Sequence, residues 1–475
     1  MRPQRASPIV AIACALALAG CQTFSPDGGM DVVAGVAGEE LGKETAAIRT
    51  PEDALAARAG VEQLLARPLS ADAAVQIALL NNRGLQAAYN ELGLAEAARL
   101  RESLPPNPTF SLSRIATPIE LEIERRIVGN ILALATLPVR AEIADARFYQ
   151  AQLRAAEATL RVAAETRRNY YGAVASRQLV GLLTQAHAAA EAATQVARQL
   201  GETGAMNKLD QAREQVFYAE LTAELAKARQ NAASERERLI RSLGLWGGDL
   251  AFRLPETLPV LPGRPQALPA VETDAIRRRV DLQVARIEVT ALARSYGLAN
   301  TTRFVNLLEV SGVSKTQREA DGAHGSGGGV EVEFQVPLFD SGEIRLRQAG
   351  ETYRQAVNRL TEKAVIVRSQ ARDAYRVYRS SYDIAAHYRR EVLPLRQIIS
   401  DETMLRYGAM QIDVFSLLTE ARQRTTANIA AIAAQRDFWM ASTDLGVAVI
   451  GGGMAGSGND RPRATPEVSR GAAGD

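Results

Sequence analysis

The chain has 475 residues, 83 of them Ala against only 24 aromatics, with a formal charge of +2. So few bulky apolar side chains argue against two or three large globular cores and suit long helices packed closely. Arg2 and Arg5 account for the whole positive surplus, and the balance of the rest removes the electrostatic case for a nucleic-acid partner.

Residues 1–20 read as an address. Arg2 and Arg5 precede an apolar stretch from Ser7 to Gly20, too short to span a bilayer comfortably, which ends in Leu18-Ala19-Gly20-Cys21. Small residues before a Cys at this place resemble a bacterial lipobox, in which Cys21 is lipidated and becomes the new N-terminus. Cys14 leaves with the signal peptide, so no thiol remains for a disulfide or a metal. Gln22 stands where an inner-membrane retention signal has Asp, so the outer membrane is the expected anchor site. Residues 21–69 are expected to form an N-terminal tether. No later stretch has about 18 consecutive apolar residues, so no transmembrane helix is expected.

The chain then repeats itself once. Leu85-Gln86-Ala87-Ala88 with Glu91 matches Leu282-Gln283-Val284-Ala285 with Glu288. Gly129-Asn130-Ile131 with Pro138 matches Gly328-Gly329-Val330 with Pro337. Gly204-Ala205-Met206 matches Gly408-Ala409-Met410. The offset grows slowly in one direction, as in a tandem duplication with small insertions. The repeats span 70–245 and 272–450, a Pro-rich crossover joins them at 246–271, and 451–475 reads as a disordered tail. Each repeat has the same plan: short helix, two strands, very long helix, tight turn, shorter helix.

In the first repeat a strand at 109–113 is expected to pair with one at about 130–137. Residues 119–124 also alternate and read as an outward extension of that hairpin. In the second repeat Val330, Val332, Phe334 and Val336 alternate with Glu331, Glu333 and Gln335, the period of a strand. A strand at 304–310 precedes it, across a mobile loop that contains the glycine run 325–329. That run is no phosphate loop, because no Gly-Lys-Ser/Thr follows it.

The long helices show a heptad seam. In the second repeat it reads Tyr353, Val357, Leu360, Ala364, Val367, Ala371, Ala374, Tyr378, Ser381, Ala385, Tyr388, Val392, Leu395 and Ile399. Such a seam predicts a left-handed coiled coil. It recurs at Tyr149, Leu153, Ala156, Leu160 and Ala163. Helices over 139–200 and 339–406 would run about 90–100 Å at 1.5 Å per residue. Pro394 is expected to kink the second. The partner helices, 205–243 and 410–448, would run about 58 Å. Flanking helices at 70–104 and 272–298 are expected to stack end to end with them beside the long ones. Four strands cannot close a barrel alone, since the smallest membrane barrels need about eight. If they enter a membrane, several chains must pool them.

With these features the chain resembles the TolC family of outer-membrane efflux channels. The resemblance rests on Leu104-Pro105-Pro106-Asn107-Pro108 before the first strand, Val336-Pro337-Leu338-Phe339-Asp340-Ser341-Gly342 after the last, the two Gly-Ala-Met turns and the duplication. It implies a mixed, mainly α fold: long coiled-coil hairpins and four strands per chain, pooled into a trimeric twelve-stranded barrel. It implies a homotrimer held in the outer membrane by acyl anchor and barrel, a periplasmic adaptor, an inner-membrane pump, and passive conduction without cofactor or enzymatic step. Adaptor contact is expected at Gly204, Ala205, Gly408 and Ala409. Candidate gate residues are Asp210, Arg406, Asp413, Met206 and Met410. The second turn departs from the family: Val414 stands where the acid is expected, and Asp413 lies one position early.

Plainer readings stand beside these. The turn glycines terminate helices under any reading. Asp210 and Asp413 are also charges that a helix N-terminus favours. Met206 and Met410 would put soft thioethers near the tips, which suits Cu(I) or Ag(I), but Met is also an adaptable contact residue. His187, His324 and His387 are far apart, with no metal spacing. A non-conducting periplasmic scaffold lipoprotein and a type I protein-secretion conduit are the alternative functions. The exported substrate has no signature in the sequence.

Overall fold

The computed structural model describes residues 23–305, 307–319 and 322–453. The signal segment 1–20, the lipidation candidate Cys21 and residues 454–475 of the expected tail lie outside the described residues.

The segment expected as a tether carries two helices docked on the body, α1 (Asp31–Leu41) and α2 (Pro51–Leu65). Thr50 caps α2, and Asp53 closes the capping box. Val33 and Ala37 are the buried side chains of α1. Upstream, the backbone and hydroxyl of Ser25 both donate to Glu96, at 2.6 and 2.5 Å. Arg58 of α2 forks onto Asp249 of the crossover.

The first repeat runs α3 (Ala71–Asn81), α4 (Arg83–Ser103), β1 (Thr109–Ala116), β2 (Glu120–Asn130), α5 (Ile131–Glu202) and α6 (Lys208–Leu243). The second runs α7 (Val271–Arg278), α8 (Val280–Thr301), β3 (Leu308–Glu319) and β4 (His324–Phe334). It continues with α9 (Glu343–His387), a π turn (Tyr388–Val392), α10 (Leu393–Gly408) and α11 (Val414–Ile450). Each repeat opens on a helix broken once by an extended residue, Asn82 with ψ 114° and Arg279 with ψ 118°. Asn82 caps the following helix by accepting from Leu85 N at 3.0 Å. Arg279 is held instead by a two-pronged pair with Asp281, at 2.9 and 2.8 Å, and by Gln370 at 2.7 Å.

The strands correct the sequence reading. The second strand is Glu120–Asn130, not 130–137, so residues 120–124 of the alternating stretch belong to it. Residues 131–137 open α5, because Asn130 accepts from Ala133 N at 2.8 Å and caps a helix there. Pro138 lies inside that helix. The third strand is displaced from 304–310 to Leu308–Glu319. The glycine run 325–329 is not a loop but part of β4, with Gly325 to Gly329 opposite Gln317 to Val313. A glycine still brings a backbone donor and acceptor to a ladder. The expected helix break at Pro394 takes the form of the π turn just before it.

The strand order is β1-β2-β3-β4, antiparallel throughout, so the two repeats join at β2 and β3. After β4, Gly342 takes a left-handed φ of 78°, and a Cβ there would lie 2.3 Å from the Arg303 carbonyl oxygen. Asp340 accepts from Gly342 N at 2.9 Å. The Pro-Leu-Phe-Asp-Ser-Gly junction is therefore a turn that turns the chain from sheet to helix and admits only Gly at its end.

Away from the sheet, α5 packs on α4 and α6, and α9 on α8 and α11. The scarce aromatics gather where the repeats meet. Tyr171 stacks on Trp439 at 5.3 Å, Trp439 meets Phe438 at 5.1 Å, and Phe438 meets Tyr378 at 5.5 Å. The crossover wraps this cluster: Trp439 Nε1 donates to Pro259 O at 3.0 Å, and Tyr382 Oη to Gly263 O at 2.9 Å. Gly451 and Gly452, the start of the expected tail, are buried beside Val280 and Leu160.

Candidate functional site: the exposed sheet and the hairpin tips

Both edges of the sheet, β1 and β4, are unpaired, and neither contains a buried residue. An open edge carries unmet backbone donors and acceptors. The pairing register sorts the side chains into two faces. One carries Phe110, Leu112, Leu121, Ile123, Ile127, Leu308, Val310, Val330, Val332 and Phe334, with Arg114, Arg125, Arg318 and His324 mostly toward the hairpin ends. Most of its large side chains lie open, Val330 at 77% exposed and Phe339 just beyond the strand fully exposed, while Leu121, Ile123, Leu308 and Val310 are half-buried.

The other face carries Glu120, Glu122, Glu124, Glu309, Glu319, Glu331 and Glu333 against only Arg126 and Lys315. Lys315 Nζ sits 3.1 Å from both Glu122 and Glu124, and Arg126 bridges Glu124 and Glu331 at 3.1 and 3.3 Å. The remaining carboxylates leave this face acidic. Strands of 8 to 12 residues match the roughly 9–11 that cross a bilayer when tilted. Among the described residues no helix is long and apolar enough to cross a membrane.

At the first tip, between α5 and α6, Gly204 takes φ 77°, and Leu200 O accepts from Ala205 N at 2.8 Å and Met206 N at 3.1 Å. Asn207 caps α6 by accepting from Asp210 N at 2.9 Å and donates to Asp210 Oδ2 at 2.7 Å. Arg213 completes the set, 3.1 Å from Asp210. Asp210 is thus occupied as a partner of its own helix start.

At the second tip, between α10 and α11, Met410 takes φ 58° and is the one non-glycine residue of positive φ among the described residues. Arg406 O accepts from Gln411 N at 2.9 Å, and Arg406 Nε reaches Glu402 at 3.0 Å. Asp413 caps α11 by accepting from Ser416 N at 2.8 Å. Hydrogen bonds from the Ser416 hydroxyl and then its backbone hold the Asp413 carboxyl below its usual range.

These bonds correct the repeat register. Gly204 corresponds to Met410, and Asn207 to Asp413, two positions away from the Gly-Ala-Met match. Gly408 is the last residue of α10 and has no positive φ. The apparent displacement of Asp413 dissolves, since it is an N-cap and Asp210 is not. Met206 and Met410 are not counterparts either, and Met410 is 94% exposed. No group of three or more His, Cys, Asp or Glu suited to a metal occurs among the described residues. All four small residues, Gly204, Ala205, Gly408 and Ala409, are exposed. Beside the second tip a groove of about 530 Å³ runs between α10 and α11, walled by Ile398, Ile399, Ile412 and Phe415.

Sequence reasoning missed the contacts that tie the tips together. Glu214 on α6 is 2% exposed and meets Arg422 on α11 at 2.9 Å. The Arg422 guanidinium lies 4.1 Å over the Phe217 ring, and Arg213 lies 5.5 Å over Phe415. Within the second hairpin, buried Glu420 meets Arg396 at 3.1 Å. Glu214 and Glu420 are counterparts in the register that pairs Gly204 with Met410, so that register was the signal that could have found them.

No family model and no curated protein matches the chain. Solved structures do. One is CusC, described for the changes accompanying folding and transmembrane channel formation: 16% identical, TM-score 0.67, covering 83% of this chain and 92% of that one. Another is the outer-membrane channel OprN: 18% identical, TM-score 0.66, covering 86% and 94%. A third is the Campylobacter jejuni CmeC outer membrane channel: 16% identical, TM-score 0.65, covering 84% and 87%. At such identities the likeness establishes architecture, and the chain has the TolC-like fold of these outer-membrane channels.

Proposed function

We propose that the chain is one protomer of a passive outer-membrane efflux channel, the outer component of a tripartite system. The observation that carries this is the sheet: four strands of membrane-crossing length, two open edges, one exposed apolar face and one acidic face. An open edge cannot persist in lipid. Three copies would pool twelve strands and close them into a barrel, with the apolar face to lipid and the glutamates lining the lumen.

Below the barrel, the helical hairpins of three copies form a tunnel through the periplasm. Cys21 carries the acyl anchor. An inner-membrane pump supplies energy, and a periplasmic adaptor docks at the exposed small residues of the tips, Gly204, Ala205, Gly408 and Ala409. Asp210, Arg406, Asp413, Met206 and Met410 line the constriction there. The chain performs no chemistry on what passes and binds no cofactor.

The test is assembly together with conduction. The full-length protein, purified in detergent, is run on a gel with and without heating and then added to a planar bilayer. The expected result is a trimer that heating dissociates and discrete conductance steps from the unheated sample. A monomer that leaves the bilayer silent would sink the reading and favour a periplasmic scaffold.

A further inference from the structure

The face that the barrel would turn to lipid is not uniform along the strands. Read across the sheet, its side chains form rows. The rows nearest the helices carry Phe110, Ile127, Val310, Val330, Val332 and Phe334, and no charge. Those nearest the two hairpin turns carry Arg114, Arg125 and Arg318, with Ser314, Thr316 and Ser326 among them. Leu112 shares the boundary row with Arg125, and Leu121 and Ile123 beyond it are half-buried. No Asp or Glu of the strands stands on this face. The ion pairs of the sheet, made by Arg126 and Lys315, lie on the other face. Among the described residues the three arginines have no carboxylate partner. All three are exposed, and Arg125 reaches only Thr316 Oγ1, at 3.4 Å.

Neighbouring strands lie about 4.8 Å apart and two residues rise about 6.8 Å, so the Cα atoms of Arg114 and Arg125 are about 8 Å apart and those of Arg114 and Arg318 about 12 Å. Each guanidinium forks onto phosphate oxygens, so side chains at this spacing can converge on one headgroup. A lipid-facing arginine is costly at mid-depth in a bilayer and close to free at the interface. The turn end of the strands is that interface. Aromatic girdles usually occupy both rims of a barrel. Here Phe110, Phe334, Phe304 and Phe339 all lie at the helix end of the strands or beyond it, and arginines take the other rim.

We propose that Arg114, Arg125 and Arg318 form a belt that binds the phosphorylated headgroups of outer-leaflet glycolipid. This rests on the channel reading above, which sets this face against lipid and the hairpin turns outside. The cationic rows run straight into the apolar rows below them, so the surface fits an amphiphile: phosphates on the arginines, acyl chains on Val330, Val332 and Phe334. A free phosphate would use only the upper half. Repeated in each copy, the belt surrounds the barrel at one level and fixes its depth in the membrane.

Binding of diphosphoryl lipid A to the full-length protein in detergent, read by native mass spectrometry, tests the belt. Lipid A stripped of its phosphates should bind at least about tenfold more weakly. At the usual gain per basic residue near an anionic surface, each single Arg→Gln change should weaken binding about fivefold, and the triple change Arg114→Gln, Arg125→Gln, Arg318→Gln about 100-fold. The triple Arg→Lys variant keeps the charge without the fork and should stay within about tenfold of wild type. Equal binding by wild type and the triple Gln variant would overturn the belt. Should that variant fail to assemble, the unaltered protein decides: equal binding of lipid A with and without phosphates would overturn it. Displacement of lipid A by inorganic phosphate at equal concentration would overturn the lipid assignment. A protein that conducts in planar bilayers but treats the two lipids alike overturns the belt alone. A silent bilayer from protein that still discriminates between them would instead overturn the channel reading.

Discussion

The two hairpins share one plan, a long helix, a tight turn and a shorter helix, yet they are held in different ways. The first is packed by apolar side chains almost to its tip, through Leu183, Ala190, Ala197, Leu221 and Leu225. The second loses its core at the π turn and is held below it by charge pairs and cation–ring contacts. Apolar burial is non-directional and survives small sliding movements, whereas a buried ion pair holds only in its own geometry. The same plan is thus held by apolar burial along the first hairpin and by ion pairs along the lower part of the second.

The difference can be broken from either side. The largest effect is expected from Arg422→Ala, which strands buried Glu214. Loss of a buried partner costs about 3–5 kcal/mol, and the value here should lie near the lower end because Arg422 is 28% exposed. Hydrogen exchange should register it as lost protection in 393–433 and near-normal protection in α5. Leu225→Ala should do the reverse. Leu225 is 5% exposed, and emptying such a site costs about 2–4 kcal/mol, seen as lost protection in α5 and α6. Ile399→Ala, at a side chain 45% exposed, should change protection by less than about 0.5 kcal/mol. An Ile399 effect as large as that of Leu225 would contradict the contrast between the hairpins.

Smaller effects sharpen the comparison at the tips. Met410 occupies the left-handed position that Gly204 fills in the first repeat. Met410→Gly relieves the strain but adds unfolded-chain entropy, for a net gain of about 0.5 kcal/mol in tip protection. Gly204→Ala should weaken its own tip. The smallest effect concerns pH. The Asp413 carboxyl is held below the ordinary value of 3.8 by Ser416. Its contribution is therefore fully present above that value and is lost as the pH falls through the depressed one. Exchange at the Ser416 amide should quicken only in that acid range, and Asp413→Asn should remove the pH dependence while keeping the cap.

Long helices were legible because their seam extends over many heptads, and the boundaries of α6 and the tip end of α5 lie close to those read from the pattern. The strands were harder for a physical reason. β3 beyond Val310 reads Ser-Gly-Val-Ser-Lys-Thr-Gln-Arg-Glu, with polar groups on both faces, so no apolar alternation marks it. Residues 131–137 alternate apolar and small residues as a strand does, but Asn130 ahead of them is a helix cap. The tip register was misread because Gly-Ala-Met recurs, while backbone geometry pairs Gly204 with Met410. The Glu214–Arg422 pair was invisible because the two residues are brought together only by packing of two distant helices.

The central claim is that copies of this chain close their open sheets into a barrel with the glutamate face inward. Current through the assembled, unheated protein in a planar bilayer under a KCl gradient tests it most directly. Seven glutamates against two cations per chain on that face predict stepwise conductance with a reversal potential displaced toward that of potassium. A silent bilayer, or a reversal potential displaced toward chloride, would contradict it.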